Sequence, residues 1–108
     1  MNLNFDDITP KYQALVWTYG SDSIHVEIPK NSEVFYATQQ QLKQSKIFTF
    51  VVGFPDNSLY IGVPSAYDTL QVAERISTSL EEQNLKIERR YYKAGKREPI
   101  SVQSFILI

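Results

Sequence analysis

The chain has 108 residues, 43% of them hydrophobic and 21% charged, a balance that excludes a disordered polypeptide. It contains no cysteine, which excludes disulfides, cysteine zinc sites and thiol catalysis. A formal net charge of −1 argues against a dedicated duplex-DNA binder, whose affinity comes mainly from phosphate neutralisation. The length predicts one domain over residues 1–108, with residues 1–11 as an N-terminal arm that Leu3, Phe5 and Ile8 pin to the body. No apolar run approaches the ~18 residues of a membrane span. The first residues lack the basic and apolar regions of a signal peptide, so a cytoplasmic address without a membrane partner is expected.

Residues 12–19 are dense in aromatic and β-branched side chains and read as the first strand. Gly20, Ser21 and Asp22 supply turn chemistry. Residues 23–28 then alternate strictly, with Ile24, Val26 and Ile28 on one face and His25 and Glu27 on the other. Residues 32–45 carry Val34, Phe35, Thr38 and Leu42 on one helical stripe, with Ser32 as the expected N-cap. A competing reading keeps residues 33–37 extended and starts the helix at Thr38, because Thr38 and Gln41 have capping-box spacing.

Residues 47–53 form a strand with almost no polar face, and residues 54–57 are a proline-initiated turn into a strand at 58–63. Ser65 and Asp68 have capping-box spacing, and Tyr67, Leu70, Ala73, Ile76 and Leu80 follow at helical steps. Glu74, Arg75, Glu81 and Glu82 are expected to face water, and Asn84 to stop the helix. Residues 85–94 extend again, with Leu85, Ile87, Arg89 and Tyr91 on one face. A turn at 95–99 leads to a last strand at 100–108.

The expected fold is α+β, an antiparallel sheet of about six strands in ββα-ββα-ββ order with two helices on one face. Two helices cannot easily cover both faces of such a sheet. Yet residues 47–53 and 105–108 are apolar on both sides, and the first strand places Leu15 and Trp17 opposite Ala14 and Val16. Three arrangements meet that burial requirement: the sheet curls into a partial barrel, the N-terminal arm crosses it, or another chain covers it.

Little in the sequence has the spacing that catalysis requires. His25 is the only histidine, and with Glu27 it supplies two metal ligands where zinc needs a third. No nucleophile elbow surrounds a serine, and the four glycines fall in no phosphate-loop pattern. No cofactor, metal site or catalytic residue is expected, and the chain reads as a non-enzymatic protein.

Charge is uneven along the chain. Residues 1–84 hold five basic side chains against ten acidic ones, and residues 85–108 hold six against two. Arg89, Arg90, Tyr91, Tyr92, Lys93, Lys96 and Arg97 therefore form a basic, aromatic segment, and with Trp17 they are the candidate partner-binding residues. The leading expectation is a small binding protein that engages a protein partner, or a second copy as a homodimer, through an apolar sheet face. The alternative is a single-stranded nucleic-acid-binding module using hairpin 86–97, with rings stacking on bases and cations meeting phosphate.

Overall fold

The structure, a computed structural model, describes residues 12–18, 20 and 22–91. Strand β1 (Ala14–Thr18) and β2 (Ser23–Glu27) form a hairpin, followed by α1 (Ser32–Ser45). A second hairpin, β3 (Phe50–Gly53) and β4 (Ser58–Gly62), leads to α2 (Thr69–Glu82) and β5 (Ile87–Tyr91). The arm at 1–11, the turn at 95–99 and the last expected strand at 100–108 lie outside the described residues.

Among the described residues the fold is α+β, with both helices on one face of a five-stranded sheet of order β3-β4-β2-β1-β5. The sheet is mixed, which corrects the antiparallel expectation: β5 runs parallel to β1, with Ala14 opposite Ile87 and Thr18 opposite Tyr91. The physical reason lies in the connection. β5 follows a helix rather than a tight turn, and a helical crossover returns the chain in a parallel sense.

Alternation sets the covered face. Ala14, Val16, Ile24, Val26, Ile28, Leu59 and Ile61 are buried there against Phe35 of α1 and Ala73, Ile76 and Leu80 of α2. Each large side chain buried this way contributes on the order of 1.5–3 kcal/mol relative to exposure.

The helix ends differ from expectation in their caps. α1 spans residues 32–45 as the stripe predicts, but Asn31 is the cap, its Oδ1 accepting from the Val34 amide at 3.0 Å. The alternative start at Thr38 is overturned, because Phe35 belongs to the helical face that packs on the core. α2 begins at Thr69, not after Ser65. The Tyr67 amide bonds to the Pro64 carbonyl at 2.9 Å, so Ser65 and Ala66 are used in a turn. Asp68 then caps the helix, accepting from the Leu70 amide at 3.1 Å. Asn84 stops it in a left-handed conformation, φ 67°, as the sequence suggests.

β3 is shorter than residues 47–53, because Lys46 turns the chain at φ 59° and Ile47 and Phe48 form the connection. Between β3 and β4, Asn57 adopts φ 64° and is buried. Its Nδ2 donates to the Ile28 carbonyl at 3.0 Å and to Ser32 Oγ at 3.1 Å. One side chain thereby ties the second hairpin to the end of β2 and the start of α1.

Candidate interaction face

The strand registers align one residue from each strand on the sheet face opposite the helices. Val52 pairs with Tyr60, Tyr60 with His25, His25 with Trp17, and Trp17 with Arg90. This row crosses all five strands. Within it the Tyr60 and His25 rings stack with centroids 4.3 Å apart and planes at 14°. Trp17 and His25 stack at 5.8 Å, and Phe54 meets Tyr60 edge-on at 5.3 Å.

Exposure on this face is lowest at β1 and rises from there toward β3. Leu15 on β1 is buried, and Trp17 and His25 are half-buried. Phe50, Val52, Phe54 and Tyr60, on β3, β4 and the turn between them, are 40–47% exposed. These four surround a shallow depression together with Pro55, Asp56 and Ser58. Gly62 makes room for one of them: a Cβ there would collide with the Phe50 ring and the Thr49 hydroxyl.

Acidic groups flank the row. Glu27 and Glu88 lie opposite Leu15 on the neighbouring strands, one register step from the rings. Glu27 Oε2 stands 3.5 Å from His25 Nε2, which is buried and makes no hydrogen bond among the described residues. Burial holds the His25 pKa below its ordinary value, against the opposing pull of Glu27 and Asp56. The ring is therefore neutral at pH 7.

The basic segment divides between the two faces as alternation predicts. Arg90 lies on the open face beside Trp17 and pairs with Glu88. Arg89 points to the helices, where its Nη atoms bind Glu81 at 2.9 and 2.7 Å and its Nε binds Glu74 Oε2 at 2.9 Å. The Tyr91 hydroxyl donates to the same Glu74 oxygen at 2.9 Å and lies 2.7 Å from Ser77 Oγ. Hydrogen bonding to Glu81 raises the Arg89 pKa further above its ordinary value, and burial raises that of the Tyr91 phenol. Arg89 and Tyr91 thus tie β5 to α2, while Trp17 and Arg90 belong to the open face. Tyr92, Lys93, Lys96 and Arg97 lie outside the described residues.

Glu81 is exposed as expected but also binds Arg89, and Glu74 is half-buried between Arg89 and Tyr91, which corrects its surface reading. Sequence reasoning also missed Tyr60, Phe54 and His25 as members of one ring cluster. Their pairing depends on the register between β2 and β4, and alternation within one strand carries no such information.

A second concavity, a cleft of about 400 Å³, separates α1 from α2. Its apolar walls include Leu42, Phe48, Val72 and Ile76, and its rim carries Gln41 and Arg75. Among the described residues no three His, Asp or Glu side chains converge as a metal site would require, and no helix is long and apolar enough to cross a membrane. Comparison with protein-family models, curated proteins and solved structures gives no match.

Proposed function

We propose that this is a small, cytoplasmic, non-enzymatic binding protein whose partner is another protein, engaged through the open sheet face. The observation that carries this reading is the contiguous exposure of Phe50, Val52, Phe54 and Tyr60 beside the stacked His25 and Trp17. Large aromatic side chains on a rigid sheet supply buried contact area at small entropic cost, the composition of protein hot spots. Contiguous apolar surface of this kind on a soluble domain marks an interaction site.

Electrostatics favour a protein over a nucleic acid. Glu27 and Asp56 border the rings and would repel phosphate, while Glu88 is offset by its pairing with Arg90. Arg89 and Arg90, two of the cations in the basic segment, are already paired with carboxylates. The flanking acids suit a partner that presents an apolar segment bordered by Lys or Arg.

The test is salt dependence. A protein partner captured from native lysate on the immobilised chain should stay bound in high salt, because apolar contacts release no counterions. Labelled single-stranded DNA and RNA should show no anisotropy change at low salt. Tight, steeply salt-dependent binding of either oligonucleotide would replace this reading with the nucleic-acid one.

A further inference from the structure

We infer that two copies of the chain join edge to edge through β3, in antiparallel pairing across a two-fold axis, to make one continuous sheet. Among the described residues β3 is the terminal strand of the sheet, and one side of its backbone has no strand partner among them. Natural edges are normally blunted by lysine, proline, bulges or inward charges. β3 is short, but it carries none of these devices: residues 47–54 contain no charge and no proline, and the four β3 residues pair with β4 without a bulge. An edge of this kind is a template for another strand.

The sequence around the edge selects a second copy as that strand. A two-fold contact sets each surface against itself, so any charge within it would meet its own image. The uncharged stretch avoids this, and a formal net charge of −1 leaves little repulsion between whole molecules. The flanks are complementary in the antiparallel sense. Lys46 precedes the stretch and Asp56 follows it, both exposed, and Lys46 has no ion-pair partner among the described residues. Pairing centred on Val51 brings Lys46 of each copy to the Asp56 end of the other. It also sets Phe50 of each copy opposite Val52 of the other on the open face, an aromatic–β-branched pair of the kind that stabilises sheets. This contact is made by the backbone of the strand edge, and its Phe50–Val52 pairs adjoin the open face centred on Tyr60.

Sedimentation of the full chain with hydrogen exchange tests the inference. The wild type should sediment as a dimer at tens of micromolar and dissociate on dilution. Amide exchange within residues 50–53 should slow as concentration rises. Val52→Lys should abolish the dimer, and Thr78→Lys, the same change at an exposed site on α2, should leave it intact. Tyr60→Lys, which removes the centre of the open face, should also leave it intact, so the edge contact and the partner face fail separately. A wild-type monomer over the whole range would overturn the inference. So would a dimer that survives Val52→Lys, or one lost in Tyr60→Lys with no concentration-dependent protection at 50–53.

Discussion

His25 and Tyr60 stack face to face on adjacent strands, centroids 4.3 Å apart, and the imidazole between Tyr60 and Trp17 has its Nε2 buried without a hydrogen bond among the described residues. Such a site accepts the neutral ring and resists the charged one.

A pH dependence follows from that stack. Burial lowers the His25 pKa in the folded state, so the unfolded chain binds the proton first as pH falls. The stabilisation is fully present above the unfolded value of ~6.5 and is lost as pH falls from there toward the folded pKa, where the loss levels off. Urea titrations between pH 7.5 and about 5.5 should show stability falling in the wild type and a flatter profile in His25→Gln. Identical slopes would remove His25 as the source.

The contact between β5 and α2 gives a second prediction. Tyr91→Phe keeps the buried ring but removes the hydroxyl between Ser77 and Glu74. The expected loss is ~0.5–1.5 kcal/mol, whereas Tyr91→Ala should lose ~3–5 kcal/mol through the cavity it leaves. Glu81→Ala should cost less than about 1 kcal/mol, because its carboxylate is exposed although it binds Arg89 in bidentate fashion. Midpoints from denaturant titration rank the three, and a Glu81→Ala loss equal to that of Tyr91→Ala would contradict the assignment.

Asn57 separates backbone from side-chain effects. Asn57→Gly keeps the left-handed conformation easily and loses the bonds to Ile28 and Ser32. Asn57→Ala loses those bonds and adds ~1–2 kcal/mol of backbone strain. Thermal unfolding should therefore order the proteins wild type, Asn57→Gly, Asn57→Ala. Alanine equal to or better than glycine would show that the conformation at residue 57 carries no strain.

Much of this architecture was legible in single residues. Ile24, Val26 and Ile28 announce the covered face by strict alternation, and Phe35 and Thr38 place α1 on it. The presence of a second apolar face was legible too, because Phe50, Val51 and Val52 cannot all point to the same side. What was not legible depends on relations between segments. Nothing within residues 87–91 says that β5 lies beside β1 in parallel. Ser65 and Asp68 are both good caps, and only the turn closed on Pro64 decides between them. The ring row exists because His25 falls opposite both Trp17 and Tyr60, and that register is set by packing and turn geometry rather than by composition.

The central claim, that the open face is where a protein partner binds, is tested most directly by a single matched pair of substitutions. Tyr60→Lys places a cation at the middle of the exposed aromatic patch, and Thr78→Lys makes the same change in charge on the helical layer. With both variants folded by circular dichroism, the amount of protein partner retained on each is compared with that on the wild type. The account predicts retention unchanged for Thr78→Lys and reduced at least tenfold for Tyr60→Lys, a loss of ~1.4 kcal/mol or more. Equal retention by Tyr60→Lys and the wild type would contradict it.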